Sequence, residues 1–531
     1  MKHHLAPLIA LLALSICCKK SKSKDATTEQ ISVDPTVSIT SASPIAFKNY
    51  LQVNAFEWDF AQQAQPQSID ESKFTVIKSF GGIRHYLDWD RIESTEGQYT
   101  FSVMHSGGWD LDLIYSRLKD AGMDVLVDLK TCPQWLVNTY PAGQRDAENV
   151  PAPYGLDRSL PSSYIKQARA GFQLAARYGS NKALNPSLVK VNTLPRWTND
   201  KVNSVRIGLD LVKYIECDNE RDKWWKGAKA QQSPEEYAAN MSAFYDGDKG
   251  KLGKDVGVKA ADPNMLVVMG GLANPDINFV LNMIEWCRKN RGLKPDGSVD
   301  LCFDIINYHQ YANDAANNGG NASVGVAPEL SDLPEVAMKF IEMAKKSANN
   351  MPVWITEVGY DVGDRTPQRA ITIGSKNSMI TQADWNLRSS LLFARMGLKK
   401  SIFYMLDDVD LSSSIQYSSS GFVDANFRKR PSADYMLQTK TLLGNYYYLA
   451  TIGKDPIVDV YVNDKKIIYV LFIPDQKGRT GEYQLDLGNS KQAIIHTLQV
   501  GKEVMQAKTV NTTNGKLTIN VSETPLFLEK I

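Results

Sequence analysis

The chain has 531 residues, with 60 Lys and Arg against 59 Asp and Glu and only six cysteines. That length exceeds an ordinary domain of about 100 to 200 residues and, with so few cysteines, excludes a disulfide-held mini-protein. A formal net charge of +1 supplies no global field for nucleic acid or an acidic surface, and 43% hydrophobic against 22% charged residues excludes a disordered chain.

At the N-terminus, Met1-Lys2-His3-His4 precedes an apolar run over 5–16, followed by Cys17-Cys18 and the basic stretch Lys19-Lys20-Ser21-Lys22. The run is shorter than the ~20 residues that span a bilayer and has the length of a signal-peptide apolar region. A cysteine directly after it resembles a bacterial lipoprotein signal, with Cys17 or Cys18 as the lipidated residue. The expected organisation is therefore a signal over 1–18 and a flexible tether over 19–45. The product is expected to be exported, as an outer-membrane or cell-surface lipoprotein, otherwise periplasmic or secreted, touching membrane only through that anchor. Cys132, Cys217, Cys287 and Cys302 show no CxxC spacing and each lies in or beside an apolar segment, so buried free thiols are expected rather than a zinc site.

From residue 46 the pattern alternates. Apolar or β-branched runs predict strands over Leu51–Glu57, Gly81–Leu87, Met123–Leu129, Leu211–Cys217, Met265–Gly270, Phe303–Tyr308, Pro352–Thr356 and Lys400–Met405. Amphipathic stretches predict helices between them, for example over 110–121, 164–178, 234–245, 276–289, 333–346 and 382–396. Eight such βα units predict an α/β fold, a (β/α)8 TIM barrel over 46–446, with surplus length in the loops 130–163 and 179–205. After residue 447 the period changes to strict alternation, as in Ile457-Val458-Asp459-Val460-Tyr461-Val462, with turn signals at Asn463-Asp464 and Asn514-Gly515. That pattern predicts a small all-β sandwich over 447–531.

Reactive side chains of a TIM barrel come from the C-terminal strand ends. Two glutamates stand there: Glu220 in Tyr214-Ile215-Glu216-Cys217-Asp218-Asn219-Glu220, and Glu357 in Val353-Trp354-Ile355-Thr356-Glu357. A carboxyl pair across a barrel mouth suits glycoside hydrolysis, in which one group protonates the leaving oxygen and the other attacks the anomeric carbon. A single Glu is ordinarily a solvated charge, but each of these closes an apolar strand, where burial of an ionised group is costly.

The string Ile215-Glu216-Cys217-Asp218-Asn219-Glu220 resembles the strand-four Asn-Glu signature of the clan A, or 4/7 superfamily, retaining glycoside hydrolases, and Trp354-Ile355-Thr356-Glu357-Val358-Gly359 resembles its strand-seven partner. Arg84 at the end of strand two and Tyr308-His309-Gln310-Tyr311 after strand six stand in the matching order. The resemblance implies Glu220 as acid/base, Glu357 as nucleophile and Asn219 as donor to the sugar 2-hydroxyl. It also implies Arg84, His309 and Tyr311 around the nucleophile. Two departures stand out. Asp218 occupies a position where many members carry an aromatic residue, adding a like charge near Glu220, and strand eight, Ile402-Phe403-Tyr404-Met405, lacks the Trp that commonly floors the sugar subsite.

Trp135, Trp197, Trp224 and Trp225 lie on loops of the cleft side, and Trp135 and Trp225 are the expected stacking platforms for a pyranose face. His85 is read either as a sugar contact or as a structural histidine. Asp407-Asp408-Val409-Asp410 lacks the spacing of an EF-hand, and no metal or other cofactor is expected. No G-x-S-x-G, H-E-x-x-H or G-x-G-x-x-G occurs. The sequence therefore predicts a retaining β-glycosidase acting on a polysaccharide or oligosaccharide. Endo action is expected, with an exo-acting β-xylosidase-like enzyme or a non-catalytic glycan-binding lipoprotein as the alternatives.

Overall fold

The computed structural model describes residues 31–32, 43–61, 64–102, 108–195, 198, 203–318, 322–464 and 466–531. The expected signal peptide, nearly all of the tether and Trp197 lie outside the described residues. Eight parallel strands form the central sheet: β1 (Gln52–Ala55), β2 (Gly82–Asp88), β3 (Asp124–Lys130), β4 (Tyr214–Cys217), β5 (Leu266–Met269), β6 (Ile306–His309), β7 (Val353–Glu357) and β8 (Lys400–Phe403). Each pairs with the next in chain order, β1 pairs with β8, and parallel bridges Val268–Ile305 and Leu272–Tyr308 join the fifth and sixth strands. The sheet is thus a (β/α)8 barrel.

A helix of at least seven residues follows each strand: α1 (Glu71–Ile77), α2 (Leu111–Asp120), α3 (Ile165–Tyr178), α4 (Pro234–Asp246), α5 (Ile277–Asn290), α6 (Leu333–Ser347), α7 (Ser378–Met396) and α8 (Pro431–Leu443). Their starts follow local chemistry. Asp70 accepts from the amides of Ser72 and Lys73 at the start of α1, and Ser233 and Glu236 close a capping box on α4.

Successive strand residues point to opposite faces, and this parity builds the barrel interior in layers. Leu126, Val268, Ile305, Trp354 and Ile402 form an apolar plug inside the barrel. Two residues further along their strands, Asp128, Asn307 and Thr356 join Arg84 and Glu216 in a polar layer, all five fully buried. The next layer forms the mouth. The outward face of the strands packs on the helices in one large apolar core.

Beyond α8 the chain forms β9 (Tyr447–Lys454), β10 (Ile457–Asn463), β11 (Lys466–Phe472), β12 (Gly481–Asp486), β13 (Gln492–Thr497), β14 (Gln506–Asn511), β15 (Lys516–Val521) and β16 (Leu526–Lys530). An antiparallel sheet in the order β9-β10-β11-β16-β13-β14 faces a smaller sheet in which β12 pairs with β15 and, in parallel, with Ile31–Ser32 from the expected tether. Val458, Val460, Leu471, Leu485, Ile519 and Leu528 fill the space between the layers, so this part is a β-sandwich. The opposite face of the larger sheet lies on the barrel. Tyr461 and Phe472 join the barrel core, and Arg395 of α7 pairs with buried Asp459 at 2.6 Å.

The four described cysteines are buried free thiols, with the sulfurs of Cys287 and Cys302 3.5 Å apart. No helix among the described residues is long and apolar enough to cross a membrane.

Candidate active site

The mouth of the barrel is organised around Arg84, whose inward position on β2 places its guanidinium in the polar layer. Its Nε and Nη2 donate to Glu216 at 2.6 and 3.0 Å, and Nη2 also donates to Asp128 at 3.0 Å and to the Asn219 side-chain oxygen at 2.9 Å. Nη1 donates to Glu357 Oε1 at 3.0 Å and to Asn54 Oδ1 at 3.2 Å. Glu216 accepts two further bonds, from Asn307 Nδ2 at 2.9 Å and the Gly271 amide at 3.0 Å. A charge buried this deeply needs paired and hydrogen-bonded surroundings, and the partners here come from six of the strands or their ends.

Glu357, the last residue of β7, receives four groups. Tyr311 donates to Oε2 at 2.9 Å, Tyr86 donates to Oε1, Arg84 pairs with Oε1, and His309 Nδ1 lies 3.6 Å from Oε1. Burial opposes ionisation of this carboxyl, but the His309 and Arg84 charges and the two tyrosine hydroxyls outweigh it and hold its pKa below the usual range. His309 shows the complementary effect. Burial disfavours its charge, yet Glu357 and Glu220 raise its pKa.

Glu220 lies on the loop after β4, half-buried at the opposite wall. Its backbone and that of Asp218 both adopt positive φ, 50° and 67°, in a region that non-glycine residues rarely enter. The surroundings hold that conformation. The Glu220 amide donates to the Gly271 carbonyl at 3.1 Å, and the Asn219 amide donates to Asp218 Oδ1 at 2.8 Å. His309 bridges Glu220 Oε1 at 2.9 Å and Thr356 Oγ1 at 3.0 Å. One oxygen each of Glu220 and Glu357 and a ring nitrogen of His309 lie within 4.8 Å of one another. Three such donors are close enough for one metal ion. Both ring nitrogens of His309 are already taken up by Glu220 and Thr356, so the arrangement suits proton transfer better than coordination.

Arg84, Asn219, Glu220, His309, Tyr311 and Glu357 are therefore gathered at one mouth. Trp135 is placed differently from expectation. Its indole N–H donates to the Glu93 carbonyl at 2.8 Å, its ring meets Trp89 edge-on at 5.5 Å, and Lys166 caps it at 5.5 Å. The protein itself occupies these surfaces, so the ring anchors a loop. Trp225 is exposed and meets Trp224 edge-on at 4.9 Å, and Trp224 lines a surface cleft of about 710 Å³ with Asp222, Asn274 and Phe279. Neither Glu220 nor Glu357 lines that cleft.

Asp218 does not add an unpaired charge beside Glu220. Arg221 pairs with it, Gln167 donates to it at 3.0 Å, and Arg221 in turn donates to three loop carbonyls. His85 faces the helices and bonds the Tyr115 hydroxyl at 2.7 Å, which is the structural alternative. Asp408 is engaged by Arg430 and the Gly421 amide.

Sequence reading missed an aromatic wall. Exposed Trp58 stacks on Phe56 at 4.5 Å and 7°, and Phe56 stacks on Tyr86 at 5.6 Å and 13°. Tyr404, the residue after β8, meets Tyr86 edge-on at 6.1 Å, and Tyr417 packs on Tyr311 at 4.4 Å. Strand eight, which has no Trp, thus contributes Tyr404 to this wall. The available signal was parity: Arg84 points inward, so Tyr86 two residues on does too.

Comparison with known proteins agrees with the sequence resemblance. Residues 82–191 match a glycoside hydrolase family model described as beta-galactosidase. No protein with a curated function matches the chain in sequence. A family 39 glycoside hydrolase from the gut symbiont Bacteroides cellulosilyticus WH2 shares the fold at TM-score 0.59 and 16% identity, covering 91% of this chain and 82% of that one. A glucosidase from Croceicoccus marinus (TM-score 0.53, 11% identity, 92% and 96% covered) and a family 30 endoxylanase from Clostridium papyrosolvens C71 (TM-score 0.51, 12% identity, 92% and 97% covered) are similar in the same way.

Proposed function

We propose that the chain is a retaining β-glycoside hydrolase of the clan A type, cleaving O-glycosidic bonds of a polysaccharide or oligosaccharide by double displacement. The observation that carries the reading is the pairing of Glu220 and Glu357 across the barrel mouth, with one oxygen of each within 4.8 Å of the other. Retaining enzymes hold their carboxyls about 5 to 5.5 Å apart, whereas inverting enzymes leave about 6.5 to 9.5 Å for a water.

Glu357, held ionised by Arg84, His309, Tyr86 and Tyr311, attacks the anomeric carbon as the glycosidic bond breaks. Protonated Glu220 gives its proton to the departing oxygen. His309 occupies Oε1 of Glu220, which leaves Oε2 to carry that proton. In the second half, Glu220 takes a proton from water, and the resulting hydroxide displaces Glu357 from the anomeric carbon. Arg84 holds the Asn219 side-chain oxygen, so the amide nitrogen is the group left to donate to the sugar 2-hydroxyl.

Endo action is supported by the wall from Tyr86 through Phe56 to exposed Trp58, which extends away from the nucleophile and offers stacking to more than one sugar. Export as a lipoprotein remains part of the proposal and rests on the N-terminal pattern alone. Product analysis on β-glucans, xylans, mannans and galactans tests the function, with Glu357→Gln as control. New reducing ends from wild type and none from the variant are expected. Full turnover by Glu357→Gln would sink the assignment.

A further inference from the structure

Lys130 closes β3 on the same inward parity as Asp128, so its side chain rises from the polar layer into the mouth. Its ammonium lies 4.7 Å from the centroid of Tyr86, the tyrosine that donates to Glu357. It is half-buried and makes no ion pair among the described residues. The carboxylates in its vicinity are already engaged. Asp128 accepts from Arg84 at 3.0 Å, and Glu148 is held by Lys223 at 3.1 Å and Lys226 at 2.9 Å. The two basic groups that touch Glu220 and Glu357 are spoken for: Arg84 by Glu216 and Glu357, and His309 by Glu220 and Thr356.

A half-buried ammonium in a cleft bears a desolvation cost, and a carboxylate partner from the protein usually offsets it. Here the offset comes from the Tyr86 face and from the charges of Asp128 and Glu148 acting at longer range, with no direct ion pair, which leaves the ammonium able to take an anionic partner that enters the mouth. Resting on the glycosidase reading above, we propose that the substrate carries an anionic group, a sugar carboxylate or a sulfate ester, on the residue bound over Tyr86, and that Lys130 binds it. The chain's balanced overall charge fits this selectivity, because recognition then depends on one placed cation rather than on a general field.

The test compares matched oligosaccharides on the full chain: glucuronic-acid-bearing xylo-oligosaccharides against their carboxyl-reduced forms, and sulfated galactan oligosaccharides against their desulfated forms. Turnover gives the ratio of kcat/KM for anionic over neutral members, and calorimetric affinity for the Glu357→Gln variant gives the same ratio without turnover. Wild type is expected to favour one anionic series by at least about 10-fold, the scale of one charge-assisted contact, through KM. Lys130→Met should collapse that ratio toward one and Lys130→Arg should keep it. The series that shows the preference identifies carboxylate or sulfate. A wild-type ratio of one or below in both series, an unchanged ratio in Lys130→Met, or no binding of any anionic member overturns the proposal. Covalent labelling of Glu357 by a 2-deoxy-2-fluoro glycosyl fluoride reports on the glycosidase reading separately, so labelling without an anionic preference would refute only the role of Lys130.

Discussion

Replacing Arg84 with Met is the most searching perturbation of the site, because one guanidinium ties together four strands and both sides of the catalytic machinery. The substitution keeps the apolar stem and deletes bonds to Glu216, Asp128, Asn219, Asn54 and Glu357. Removing one partner of a buried ion pair typically costs about 3 to 5 kcal/mol, because an uncompensated charge is left behind. Glu216 keeps the Asn307 amide and the Gly271 N–H, which places the expected loss at the lower end, about 3 kcal/mol. That corresponds to roughly a 150-fold change in the unfolding equilibrium. Urea unfolding at neutral pH measures it, read as the denaturant midpoint at constant m. The double variant Arg84→Met with Glu216→Gln removes one of the orphaned charges and should recover about 1 to 2 kcal/mol of the loss while remaining inactive. A loss below about 1 kcal/mol for the single variant, or no recovery in the double, would refute the view that Arg84 is held by buried charge pairing.

The remaining predictions concern the nucleophile and the aromatic surfaces. Tyr86→Phe removes a donor to Glu357 and should lower kcat/KM by about 10- to 100-fold, the scale of one hydrogen bond to a charged group. Because Tyr86 helps hold the Glu357 pKa below its usual range, its loss favours the protonated nucleophile, so the acid limb of the kcat/KM profile should move to higher pH; an unmoved limb would contradict this. Trp135→Phe should cost about 1 kcal/mol of stability through the lost bond to Glu93 and leave KM for oligosaccharides unchanged. Trp58→Ala should do the reverse, raising KM for long substrates by about 10-fold with little change in unfolding, since stacking on an exposed ring is worth about 0.5 to 1.5 kcal/mol. Glu220→Ala should lose turnover on natural substrates and regain it with azide on aryl glycosides with good leaving groups, giving the β-glycosyl azide as product.

The barrel was legible because its strands are buried on both faces and read as short β-branched runs, so all eight were placed within a few residues. Helices α1 and α8 were less visible. The first is only two turns long, and its signature is the single cap Asp70; the second is marked chiefly by Pro431 at its first position. That Glu220 and Glu357 meet at the barrel mouth was legible because both stand at strand ends in a characteristic setting. Tyr86, Lys130, Asp128 and Glu216 were not read, although parity puts Tyr86 on the inward face two residues beyond Arg84. Trp135 and Trp225 show the limit of residue identity. An indole on a cleft-side loop suits stacking or anchoring equally, and the bond from Trp135 to Glu93 depends on how a long loop folds back.

The central claim is a double displacement at Glu357 with Glu220 as the acid/base. The stereochemistry of the first product tests it most directly, followed by proton NMR during the first minutes of hydrolysis of a β-linked oligosaccharide, before mutarotation. The account predicts the β-anomer as the initial product. Initial release of the α-anomer would contradict it.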